Sequence, residues 1–185
     1  MTSQFSFKLA CRHIHAGGII AYPTESVIGL GCDPLNENAV NKLLKIKNRS
    51  VDKGLILIAS SAEQLLPFVK ITQQQLEKLT GFQNKPITWL VQASDFAPFW
   101  ITGYHQKIAV RITRHPIAEQ LCEMTGHPLV STSANVSGHK AAKTLLQTKQ
   151  YFSDLVDFYL PGNIGVHDKP SEIRDLDSDA IIRAS

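Results

Sequence analysis

Cysteine is scarce in this 185-residue chain, and its three copies, Cys11, Cys32 and Cys122, are odd in number and widely spaced. No CxxC pair occurs, so neither a disulfide framework nor zinc-ligand spacing is present, and a reducing cytoplasm is the expected setting. Long apolar runs are missing as well, since nothing approaches the length of about 20 residues that a membrane-spanning helix needs. The opening residues "MTSQFSFKLACRHIHAGG" lack the basic start and apolar stretch of a secretory leader. Three catalytic signatures are also absent. Without GxxxxGK[ST] the chain is not a P-loop ATPase by motif, and without GxSxG it is not an ordinary acyl hydrolase. The "GLG" at 29–31 lacks the third glycine and the helix context of the dinucleotide fingerprint. Net charge is only +3, which permits contact with polyanions and does not demand it.

What is present reads as an ordinary globular protein, with 43% hydrophobic and 19% charged residues. The length suits one domain, residues 1–185, with a core of its own. Apolar periodicity predicts helices at 5–16, 36–47, 61–69, 72–80, 115–126 and near 141–152. Short apolar or alternating runs predict strands at 19–22, 55–59, 87–93, 107–112, 128–130, 155–160, 172–174 and 180–183. The fold class is therefore α/β or α+β, a single domain with a mixed sheet.

Several segments carry candidate chemistry. "YPTESVIGLGCDP" (22–34) follows a strand, and a loop at a strand end is where open α/β folds bind ligands; Gly29 and Gly31 are expected to permit tight or positive-φ backbone there. "KIKNRSVDKG" (45–54) concentrates Lys45, Lys47, Arg49 and Lys53 against Asp52 alone. Most of these lysines read as a solvated face, but Lys47 follows Leu43 by four residues and Leu44 by three, so it continues the apolar stripe. Such a lysine either snorkels outward or points into a cleft, where Arg49 two residues on completes a phosphate clamp. In "IAVRIT" (108–113), Arg111 shares a strand face with Ala109 and Thr113; it is either edge-exposed or a fork for a carboxylate or phosphate. "PLVSTSANVSG" (128–138) sets four hydroxyls and an amide within seven residues, either a polar turn or a pocket floor. Hydroxyls without an adjacent base suit holding a polar ligand better than attacking it.

Together these segments resemble the YrdC family over nearly the whole chain and in order. "YPTESVIGLGCD" is similar to the family's YPTxTxxGLG and "KIKNRSVDKGLILI" to its KxRxxxK block. "IAVRITRHP" resembles LAVRxxxHP, "STSAN" is intact, and "PSEIRD" resembles PSTIxD. The resemblance implies a twisted α/β sheet flanked by helices, with an open basic cleft. It implies a nucleotidyltransferase activity that joins L-threonine, bicarbonate (or CO2) and ATP into threonylcarbamoyl-adenylate and releases pyrophosphate. A transferase complex would then modify the adenosine beside the anticodon in tRNAs reading A-starting codons, and contact with tRNA is an added expectation.

By that resemblance Lys47, Arg49, Ser133 and Asn135 are the ATP-binding and catalytic set. Arg111 would fork the threonine carboxylate, with Thr24, Ser131 and Ser171 lining the amino-acid pocket. Mg2+ would arrive with the nucleotide, because no carboxylate cluster offers a dedicated metal cage. The chain departs from the family at "FQNKPIT" (82–88), where many members have WPGPxT, and at Ile58, where longer members carry a histidine near threonine. A second function class is a non-catalytic RNA-binding module, weakened by the absence of an RNP-like aromatic pair or GXXG clamp. A third is a generic nucleotide-binding domain with another acceptor.

Overall fold

In the computed structural model, which describes residues 2–167 and 169–184, most helices start where a side chain satisfies an orphan backbone N–H. Ser3 accepts from the Ser6 N–H at the head of α1 (Gln4–His15), and Asn36 accepts from the Ala39 N–H ahead of α2 (Glu37–Ile46). Thr72 and Gln75 form a reciprocal capping box at α3 (Gln73–Thr80). After the one-turn α4 (Phe99–Thr102), α5 (Pro116–Thr125) opens on proline and stops at left-handed Gly126. Thr144 caps α6 (Leu145–Phe152).

Among the described residues nine strands form one mixed sheet: β1 (Ile20–Pro23), β2 (Ile28–Gly31), β3 (Ile56–Ala59), β4 (Ile87–Gln92), β5 (Lys107–Ile112), β6 (Leu129–Ser133), β7 (Phe158–Tyr159), β8 (Glu172–Asp175) and β9 (Ile181–Arg183). Their order is β7-β1-β2-β6-β3-β5-β4-β8-β9. β1 with β7, β3 with β5 and β4 with β8 run parallel, and β6 pairs antiparallel with both β2 and β3. Strand alternation splits the core between the two faces. Ala21, Leu30, Leu57, Val110 and Val130 join the cluster on which α2 packs, whereas Ile20, Tyr22, Ile58 and Leu129 join that of α1 and α5. The expected α/β class and mixed sheet are what the chain forms.

Local expectations fared unevenly. Residues 61–69 do not make a helix; Pro67 lacks a donor, and a single 3-10 turn, Leu66–Phe68, is all that forms. The 22–34 segment is no long loop but a hairpin, in which β2 pairs with β1 in continuous register. Gly29 and Gly31 are not among the residues with positive φ; they serve close packing instead. β6 runs past the predicted 128–130 through Ser133, so Ser131, Thr132 and Ser133 belong to a strand rather than a turn. The last helix starts at Leu145 rather than near 141, and the 155–160 strand contracts to two residues behind a 3-10 turn at Ser153–Leu155.

Candidate active site

The β1–β2 turn, the end of β6 and the C-terminal strands enclose a polar cavity of about 330 Å³. Thr24, Arg49, Arg111, Ser131, Ser133, Asn135 and Ser171 line it, and so does Arg183, which sequence reasoning missed. Of the eight residues expected in the site, only Lys47 is not part of its lining.

Thr24 is held by the hairpin: its hydroxyl donates to the Val27 carbonyl at 2.8 Å. Gly29 lets this turn close, because a Cβ there would stand 2.9 Å from Thr24 Cγ2 and 3.6 Å from Ser131 Oγ. Ser131 and Ser133, two apart on β6, share one face of that strand. The Ser133 hydroxyl donates to Asn135 Oδ1 at 2.6 Å, and the Asn135 amide donates to the Val136 and His139 carbonyls at 3.0 and 2.9 Å. This local network fixes the turn after β6.

Lys47 resolves its two alternatives in an unexpected way. It neither snorkels nor faces the cavity; it is 2% exposed, and its ammonium donates to the Ser133 carbonyl and, at 2.8 Å, to that of Asn135. Burial, with the like charge of Arg49 adding to it, brings the Lys47 pKa down to about 7. Arg49 reaches the cavity itself. One of its nitrogens donates to the Gly54 carbonyl at 2.9 Å, while its buried Nε has no partner among the described residues. Burial and the nearby Arg183 lower its pKa.

Arg111 is not edge-exposed but 8% exposed, beside Ile58 in the β3–β5 register. A terminal nitrogen contacts Glu25 Oε2 at 3.1 Å, and Thr113 donates its hydroxyl to Glu25 Oε1 at 2.7 Å. Burial pushes the Glu25 carboxyl up, but Arg111 and then Thr113 outweigh it, so its pKa lies below the usual value. The buried Arg111 Nε is without a partner among the described residues. At the far wall Ser171 shares a hydrogen bond with Thr88 at 2.8 Å, and its carbonyl accepts from Arg183 at 2.8 Å.

Three guanidinium groups therefore face one cavity whose lining, among the described residues, contains no carboxylate. Such a lining is chemically suited to hold a polyanion and a carboxylate side by side. Among the described residues no group of three or more His, Cys, Asp or Glu is placed to hold a metal ion. Glu25 and Arg183 escaped sequence reasoning; the only signal for Glu25 was its place inside "YPTESV", and for Arg183 the alternation of the last strand. A larger cavity, of about 560 Å³, lies beyond Glu25 and is mostly apolar, so it does not fit that chemistry.

The sequence profile of the Sua5/YciO/YrdC family, described as "Telomere recombination", matches residues 12–185. The chain belongs to this family. Among its relatives in the family, a protein of Pseudomonas paraeruginosa named "Threonylcarbamoyl-AMP synthase" is 48% identical over 184 residues, 99% of each chain. A Pseudomonas putida protein of the same name is 46% identical over 184 residues, again 99% of each. P. abyssi Sua5, solved in complex with L-threonine, is 31% identical with a TM-score of 0.87; the match covers 94% of this chain and 51% of that one, so the present chain spans about half of its length. E. coli YciO, at 23% identity and a TM-score of 0.84 over 98% of this chain and 89% of that one, shares the fold. Among the described residues no helix is long and apolar enough to cross a membrane.

Proposed function

We propose that this chain is a threonylcarbamoyl-AMP synthase, converting L-threonine, bicarbonate (or CO2) and ATP to L-threonylcarbamoyladenylate and pyrophosphate. The observation that carries this reading is the full-length match to relatives of that name. The threonine amine takes up CO2 as a carbamate, and a carbamate oxygen attacks the α-phosphorus of ATP as the bond to pyrophosphate breaks. Both reactants are anions, so the protein's task is to neutralise and align them, and no protein nucleophile is needed.

In this proposal Arg111, oriented by Glu25, forks the threonine carboxylate, with Thr24, Ser131 and Ser171 around the amino acid. Arg49, Ser133 and Asn135 take the phosphates, and Lys47 sets the end of β6 from behind while adding positive potential. Magnesium enters as the counter-ion of the nucleotide, since among the described residues the cavity lining offers no carboxylate to hold it. We further propose a cytoplasmic setting, delivery of the adenylate to a threonylcarbamoyl transferase complex, and contact with tRNA during that delivery. The relatives' enzyme name does not favour the non-catalytic RNA-binding reading.

The test is pyrophosphate release by purified protein with ATP, magnesium and bicarbonate, comparing L-threonine, L-serine and no amino acid. Release that depends on threonine is expected. Release indifferent to the amino acid keeps ATP and rejects threonine as the acceptor, and no release in a folded protein rejects the enzyme reading.

A further inference from the structure

Threonine differs from serine by one methyl group, and the residues assigned above to the amino acid do not read it. Thr24, Arg111, Ser131 and Ser171 offer hydroxyls and a guanidinium, which suit the carboxylate and hydroxyl of serine as well as those of threonine. An apolar wall is needed to tell the two apart.

The sheet supplies one at the middle of the cavity floor. Arg111 stands on β5, and Ser131 and Ser133 stand on β6. These strands are two spacings apart, roughly 10 Å, with β3 between them. Ile56 is the cross-strand partner of Ser131, and Ile58 is that of Arg111, so the four side chains share one face of the sheet. Ile58 is 0% exposed, whereas Ile56 is only partly buried and borders the polar cavity. A molecule that reaches from the guanidinium of Arg111 to the phosphate seat at Ser133 therefore passes over Ile56. The neighbouring Ser131 puts a hydroxyl beside that aliphatic side chain, at a cross-strand separation of about 5 Å between Cβ atoms. Two other aliphatic residues border the cavity. Leu55 is 4% exposed and belongs to the core on the opposite face of the sheet, and Val27 lies in the β1–β2 turn.

We propose that Ile56 determines the amino-acid specificity of the site by packing against the threonine methyl group, while its partner Ser131 takes the threonine hydroxyl. This inference rests on the synthase reading and adds to it the residue that rejects serine. Two anchors fix the amino acid: the carboxylate at Arg111 and the carbamate directed at the phosphates. Its side chain then falls over the strand between them. The Cβ of threonine carries a hydroxyl and a methyl in one chirality, and Ser131 and Ile56 offer a polar and an apolar group in matching order. L-allo-threonine presents the two groups exchanged, so one placement sets its methyl on Ser131 and its hydroxyl on Ile56.

The test is kcat/KM from pyrophosphate release, with ATP, magnesium and bicarbonate, for L-threonine, L-serine and L-allo-threonine. The unmodified protein is expected to prefer threonine to serine by about tenfold to 200-fold, the worth of one methyl in an apolar pocket, and to use L-allo-threonine no better than serine. Ile56→Ala should lower the threonine-to-serine ratio by at least about fivefold, chiefly through threonine, since serine has no methyl contact to lose. Ile56→Thr should do the same while keeping the β-branched shape that suits a strand, so it carries the test if the alanine variant does not fold. Ile56→Val should keep the ratio to within about threefold. No release by the unmodified protein with any amino acid overturns the synthase reading, and this inference with it. Threonine-dependent release overturns the inference alone if the ratio is unchanged in the folded Ile56 variants, or if Val27→Ala lowers it and they do not. Equal use of threonine and serine by the unmodified protein, or better use of L-allo-threonine than of serine, does so too.

Discussion

An ammonium group taken out of water must be repaid by hydrogen bonds or give up its proton. Lys47 does some of each, with two carbonyl acceptors and a pKa of about 7. The phosphates of ATP favour the protonated form, so above that pKa nucleotide binding must take up a proton. The KM for ATP is therefore expected to be flat below about pH 7 and to rise above it, by at most about tenfold per pH unit. Lys47→Arg should flatten that profile, as measured from initial rates across the range. Glu25 makes a different prediction. Removing one partner of a buried pair leaves the other uncompensated, so Glu25→Gln should cost about 3 kcal/mol in a denaturant titration. It should also raise the KM for threonine with little change for ATP, because Arg111 loses its anchor. The folded pKa of Glu25 is depressed, so its contribution is present above its unfolded value of about 4.5 and is lost as pH falls through the folded pKa. Acid unfolding of the variant should be correspondingly less steep. Charge density in 45–54 made Arg49 legible as a candidate from the chain alone, whereas Glu25 was not: Thr113, one of its partners, is 88 residues away, and no spacing rule connects them.

At the scale of elements, the hairpin of β1 and β2 shows why glycine misled. In sequence, "GLG" suggests a ligand loop with tight or positive-φ backbone, yet both glycines lie in a strand where neighbours come close. A Cβ on Gly31 would stand 2.5 Å from the Val130 carbonyl, a backbone atom that cannot move aside. Gly31→Ala should therefore lose about 2 kcal/mol or more in thermal or chemical unfolding. Gly29→Ala meets a methyl group of Thr24 and should leave the fold nearer intact while raising the KM for threonine. Equal stability losses at both positions would contradict this division. Helices with clear caps, such as α2 and α3, were legible to within a residue or two, since capping and periodicity are local properties. The failed helix at 61–69 and the long β6 were not, because Pro67 and the pairing of β6 with β2 and β3 overrode the local pattern.

The whole molecule hangs on that pairing. β6 joins the β1–β2 hairpin to the strands that carry Arg111, and the polar cavity spans the junction. If the two halves opened separately, Thr24 and Arg111 would part and the proposed threonine pocket would go with them. We therefore expect residues 1–185 to unfold as one cooperative unit, and the cysteines can test it. Cys32 lies in one core cluster, and Cys11 and Cys122 lie in the other, on the opposite face of the sheet. All three are buried free thiols, and burial raises the pKa of each, so they are inert in the folded state. Pulsed thiol labelling across a denaturant series, read residue by residue by mass spectrometry, should give one midpoint for all three. A lower midpoint for Cys32 than for Cys11 and Cys122 would mean that the face carrying α2 loosens first. Lys47 and Arg49 would then be lost from the site before Arg111, and ATP binding would fail at denaturant concentrations where the α1–α5 face is still folded.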